Sequence, residues 1–127
     1  MSPEDLLFTR EHEWIESGKS PARFGITDYA QGELTDVVYV ELPEENAEVS
    51  RGDVVGTLES VKATSDFYAP ADGKITAVNS ELEDSPEKVN QDPYGEGWLY
   101  EIEIADPGQL AGLMDYPAYR KYLETGE

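Results

Sequence analysis

Short runs of alternating apolar and polar residues fill most of the chain, and the spacing lengthens to three or four only near the end. Phe8 to Ile15 reads as a strand stopping at Ser17-Gly18, with Ala22 to Ile26 as its hairpin partner. Thr27-Asp28 offers an N-cap for one or two helical turns over Tyr29 to Leu34. Asp36 to Leu42 is rich in β-branched residues and predicts a core strand ended by Pro43, after which Glu44 to Val49 is an acidic connection. Asp53 to Leu58 and Thr64 to Ala69 suit two half-buried strands, bounded by turns at Arg51-Gly52-Asp53 and Pro70-Ala71-Asp72-Gly73.

Gly73 to Val78 adds a strand, and the polar stretch from Asn79-Ser80 through Pro86 predicts short helical turns. Turn formers crowd Asp92 to Gly97, before Trp98 to Ile104 alternates with Trp98, Tyr100, Ile102 and Ile104 near one face and closes the sheet. From Pro107 onward Leu110, Leu113 and Met114, then Tyr116, Tyr119, Tyr122 and Leu123, predict two short helices over about 107–123. Met1 to Leu7 reads as a short turn or helical start. No repeat and no Pro, Gly or Ser tract divides the 127 residues, which fit one mainly β domain, 1–127, with a modest core.

Charge narrows the partners. A formal net charge of −19, from 28 acids and nine Lys and Arg, disfavours nucleic acid and anionic membranes, because phosphate binding needs clustered cations. No run approaches a membrane span of about 20 apolar residues, and Glu4, Asp5 and Arg10 do not resemble a secretory or transit signal, so the expected compartment is the cytoplasm. Without cysteine the chain has no disulfide or thiolate metal site, and any redox chemistry must be imported. The acid excess suits a halophilic prokaryote, since concentrated salt screens repulsion among carboxylates.

One lysine stands out. Lys62 lies between the two runs of the expected hairpin, about 53–69, and no other cation occurs between Arg51 and Lys74. A rigid two-stranded stalk presents an amine to a modifying enzyme better than a loose loop does. Glu59 and Asp66 favour the ammonium form, which suits a passive attachment point over a Schiff-base lysine. His12 is the single histidine and cannot build a metal site alone. The acidic neighbours Glu44-Glu45 and Glu81 to Asp84 are ordinary in so acidic a chain and do not argue for a hydrolase.

The string ESVKA at Glu59 to Ala63 resembles the lipoylation site of glycine cleavage system H proteins. EHEW at Glu11 to Trp14, GITDYAQ at Gly25 to Gln31, DVVYVELP at Asp36 to Pro43 and DPYGEGW at Asp92 to Trp98 match that family in the same order. The triplet Val61-Lys62-Ala63 fits neither the DKA of 2-oxoacid dehydrogenase lipoyl domains nor the MKM of biotin carriers. Two departures stand beside the match. Glu33 occupies a position where some members have histidine, and Thr35 replaces a frequent glycine.

The resemblance implies a barrel-sandwich hybrid of two small sheets with short helices, including a C-terminal helical segment, and a non-catalytic carrier with lipoate on Lys62. It implies that the arm takes an aminomethyl group from glycine decarboxylase, a pyridoxal phosphate enzyme, to aminomethyltransferase and tetrahydrofolate. Dihydrolipoyl dehydrogenase, with FAD and NAD, then restores the disulfide. A lipoate ligase or a lipoyl or octanoyl transferase would load the arm, reading Glu59, Ser60, Val61 and Ala63. Glu13 would line the surface cleft that receives the loaded arm, with Asp66 helping from the hairpin and His12 at the rim. The alternative is an H-like carrier that relays lipoate to 2-oxoacid dehydrogenases.

Overall fold

A computed structural model describes residues 3–126. After a short 3-10 turn at Pro3–Asp5 come β1 (Leu6–Phe8), β2 (Glu13–Glu16), β3 (Ala22–Ile26), α1 (Asp28–Leu34) and β4 (Val37–Glu41). Met1 and Ser2, at the start of the expected turn, lie outside the described residues. Then follow β5 (Glu48–Val49), β6 (Val54–Ser60), β7 (Thr64–Tyr68), β8 (Gly73–Val78), α2 (Glu81–Asp84), α3 (Lys88–Gln91), β9 (Tyr100–Ile104) and α4 (Tyr116–Thr125).

The strands make two sheets, one ordered β1-β2-β3-β9-β8-β5 and one ordered β4-β6-β7. Between them lies a core that includes Phe24, Ile26, Val40, Leu58, Phe67, Ile75, Tyr100 and Ile102, drawn from both sheets. Phe24 stacks on Tyr100 with ring centroids 4.5 Å apart, and Phe67 reaches the same pair from the smaller sheet at 6.1 and 6.2 Å. Gly56 is needed where β6 crosses: a Cβ there would overlap the Phe67 ring and the Glu41 carbonyl. A second cluster of Leu6, Phe8, Trp14 and Tyr119 packs beneath α4, and Phe8 stacks on Tyr119 at 4.6 Å with an 8° tilt.

Four expectations are corrected. Phe8 to Ile15 is two antiparallel strands, because the Thr9 hydroxyl accepts the Glu11 and Glu13 amides at 3.2 and 3.3 Å and His12 adopts φ 66°, turning the chain. Glu48–Val49 pairs with Gly73 and Lys74, so part of the acidic connection is a strand. The last strand lies inside the larger sheet, between β3 and β8, and does not close it. The first C-terminal helix is a 3-10 segment, Pro107–Gly112, and Met114 instead bridges Phe8 with backbone bonds of 2.8 and 3.0 Å.

Candidate functional site

β6 and β7 form the expected hairpin, paired from Val54↔Tyr68 to Glu59↔Thr64, with Ser60, Val61, Lys62 and Ala63 at its tip. Ser60 ties that tip together. Its Oγ accepts the amides of Lys62 and Ala63 at 3.2 and 2.9 Å and donates to the Ala63 carbonyl at 3.1 Å, while the Ser60 amide donates to the same carbonyl at 2.8 Å. Ser60 is therefore structural as well as small. Lys62, Glu59 and Val61 are exposed, Val61 to 69%, and on the neighbouring strand β4 Val38 and Tyr39 are exposed as well, Tyr39 pairing with Glu59.

The tip is also braced from the side. The Val61 amide donates to the Asp36 carbonyl at 3.1 Å, and the next amide along β4, that of Val37, donates to Asn90 Oδ1 at 2.8 Å. Asn90 Nδ2 in turn donates to Gln31 Oε1 at 3.0 Å and to the Thr35 carbonyl at 2.6 Å, at the end of α1.

Between α1 and β7 runs a trough of about 330 Å³ that starts at Ala63 and Thr64, beside Lys62. Ile26, Ala30, Leu34, Leu58 and Phe67 give it an apolar surface, and His12, Glu13, Glu33 and Asp66 its polar groups. The structure thus gathers the three expected cleft residues around one trough, next to the hairpin tip. Glu13 differs from the picture of an open surface acid. It is 3% exposed, its Oε2 accepts the Tyr68 amide at 2.8 Å and its Oε1 accepts the Thr9 hydroxyl at 3.1 Å. Burial pushes its pKa up to about 8, against the lowering effect of these two bonds. Asp66 is exposed, and Thr57 Oγ1 donates to it across the hairpin at 3.2 Å.

His12 is half-buried, 4.6 Å from the Tyr29 ring, with Nδ1 2.9 Å from Tyr119 Oη. Burial lowers its pKa although Glu11 and Glu33 pull the other way. Tyr119 also meets Thr27 Oγ1 at 2.8 Å. Sequence reasoning placed Tyr119 only on a helix face, because spacing cannot show which side chain a terminal helix meets more than 100 residues away. Trp14 and Tyr100 are packing residues: Trp14 is buried, its Nε1 donating to the Pro93 carbonyl at 2.9 Å, and Tyr100 lies in the core.

An exposed lysine at a stapled hairpin tip, beside an apolar trough in a two-sheet sandwich, is an arrangement suited to a carrier of a covalently attached group. The family model "Glycine cleavage H-protein" matches residues 6–126. Glycine cleavage system H proteins of Anaeromyxobacter sp. (strain K) and Salinibacter ruber are each 50% identical, over 98% and 93% of this chain and 98% and 95% of theirs. A crystal structure of a glycine cleavage system H protein from Mycobacterium marinum matches with a TM-score of 0.86 and 37% identity, covering 99% of this chain and all of that one. The chain belongs to the glycine cleavage H-protein family, the non-catalytic lipoyl carriers of the glycine cleavage system.

Proposed function

We propose that Lys62 is the residue that takes the lipoyl group, by an amide to Nζ, and that the trough beginning at Ala63 is the seat of the arm, all carried on a single domain. The observation that carries this reading is the continuity between the exposed tip and the apolar trough. The residues fit the group: Ile26, Ala30, Leu34, Leu58 and Phe67 suit an aliphatic chain and a dithiolane, and nothing in the apolar set competes for hydrogen bonds. The bound group supplies the disulfide and thiol chemistry that a chain without cysteine lacks.

Glu13 and Asp66 contribute acids from the larger and smaller sheet, a chemistry suited to an ammonium cargo held by charge-assisted hydrogen bonds. The apolar walls limit water around it. Exposed Glu59 and Val61, on a tip shaped by Ser60 and Ala63, give a lipoate ligase or a lipoyl or octanoyl transferase its handle. Val38 and Tyr39 extend that face toward the decarboxylase, the aminomethyltransferase and dihydrolipoyl dehydrogenase, which visit one arm in turn. Tethering keeps the cargo at high effective concentration between visits. Among the described residues no helix is long and apolar enough to cross a membrane, and we place the carrier in the cytoplasm of a salt-adapted cell.

Peptide-mapped mass spectrometry of protein from its own cells tests the central assignment. A lipoyl mass on the Lys62 peptide is expected; an unmodified Lys62, or a lipoyl mass elsewhere, would overturn it.

A further inference from the structure

The hydroxyl of Thr27 fixes the direction of a chain of hydrogen bonds that ends in the trough. Thr27 is fully buried and caps α1, its Oγ1 accepting the Ala30 amide at 3.2 Å. Its single hydroxyl proton has, among the described residues, one acceptor in reach, Tyr119 Oη at 2.8 Å. Leaving a buried hydroxyl proton unbonded costs about 1–3 kcal/mol, so Thr27 donates to Tyr119. The phenol of Tyr119, itself buried, already has its oxygen engaged by that donor. Its own proton then goes to the remaining neighbour, His12 Nδ1 at 2.9 Å.

A neutral imidazole that accepts at Nδ1 carries its proton on Nε2. The lowered pKa of His12 supports the neutral form. No hydrogen bond ties Nε2 to another described residue, and the atom is not a sealed, unsatisfied one. His12 itself lines the trough. Four acids line it, Glu11, Glu13, Glu33 and Asp66, whereas the amide oxygen and sulfurs of a lipoyl-lysine need a donor; Nε2–H is one whose direction is fixed by the buried chain, unlike the rotatable hydroxyls of Tyr29, Thr64 and Ser65.

We infer that Tyr119 is a positioning residue for the arm: through its bond to Nδ1 it makes His12 present Nε2–H to the trough, where that N–H donates to the seated lipoyl-lysine. The inference rests on Lys62 carrying the arm. The acceptor is the amide oxygen or a sulfur, which an octanoyl arm separates, since it keeps the amide and has no sulfur. The Tyr119 ring is stacked on Phe8 independently of its hydroxyl, so Tyr119→Phe keeps the packing and removes only the hydrogen bonds.

With a single histidine, nitrogen-15 labelling gives one pair of ring signals. The unmodified protein is expected to show the Nε2-protonated tautomer, and Tyr119→Phe a loss of that preference, with thermal unfolding confirming that the variant is folded. Protein loaded at Lys62 with octanoyl or lipoyl, each verified by intact mass, is then compared with the bare form. A downfield move of Nε2–H in both adducts supports the amide oxygen, and a move in the lipoyl form alone supports sulfur. An Nδ1-protonated tautomer in the bare protein, or an unmoved Nε2–H in both verified adducts, overturns the inference. Failure of the attachment itself would show separately, as native protein without a Lys62 adduct.

Discussion

Glu13 Oε2 accepts the Tyr68 amide at 2.8 Å, so a buried acid of β2 is bonded to the backbone of the hairpin that carries Lys62. The bond joins the two sheets beside the trough. Burial, acting against this bond, pushes the pKa of the carboxyl group up to about 8 in the folded protein from an ordinary glutamate value of 4.5.

Because that folded pKa is raised, the stability Glu13 contributes is fully present below about pH 4.5 and is lost as pH rises through about 8. A shift of this size corresponds to roughly 5 kcal/mol at most. Glu13→Gln does not ionise, and its stability relative to wild type is expected to increase between about pH 5 and pH 9. Urea unfolding of both proteins across that range checks it; a constant difference would show that Glu13 does not titrate there.

Replacing Lys62 by Arg keeps a cation on an exposed tip and is expected to change stability by less than about 0.5 kcal/mol. It should abolish both lipoyl loading and glycine decarboxylation with the cognate decarboxylase. Retained glycine turnover in a folded Lys62→Arg protein would place the attachment elsewhere.

Ser60→Ala removes the hydroxyl that accepts two tip amides. A cost of about 1 kcal/mol is expected, together with faster hydrogen exchange at the Lys62 and Ala63 amides. Loading by the modifying enzyme should slow, because the lysine is presented from a looser tip. Unchanged exchange would mean the staple contributes nothing in solution.

Thr35 adopts φ 62° and ψ −147°, a conformation in which a β-branched residue is strained and glycine is not. Thr35→Gly gives up the Thr35 hydroxyl bond to the Leu34 carbonyl but relieves that strain. A net gain of about 1 kcal/mol is expected from a term of this kind, read as a higher denaturant midpoint; a lower midpoint would count against the strain.

Among the described residues three side-chain ion pairs occur, Lys19–Glu16, Arg23–Glu101 and Lys88–Glu81, few beside 28 acids, and pairing leaves the net charge of −19 as it is. Stability is expected to rise from dilute buffer to molar potassium chloride as screening shortens to about 3 Å. Equal unfolding curves in the two conditions would remove the case for salt adaptation.

The carrier hairpin was legible because Val, Thr and Leu before Lys62, and Thr, Phe and Tyr after it, announce strands by composition. Thr27 as a cap and Gly73–Val78 as a strand were legible for the same local reasons. The break at Thr9 to His12 was not, since a histidine at positive φ carries none of the glycine or asparagine signal that marks such turns. The cleft residues followed from family likeness, which could place Glu13 in a trough but not bury it. That depends on Tyr68 and Thr9 closing over the carboxyl group, a matter of packing between elements far apart in sequence.

Asn90 bonds Gln31, Thr35 and Val37, while Asp36 holds Val61. One asparagine thus works as a gauge block between the Lys62 tip, the proposed anchorage of a tether, and the wall of the trough proposed to receive it. A tether of fixed chemical length cannot adjust to a gap that drifts. Calibration therefore falls to the scaffold, and an amide side chain on a four-residue helix sets it.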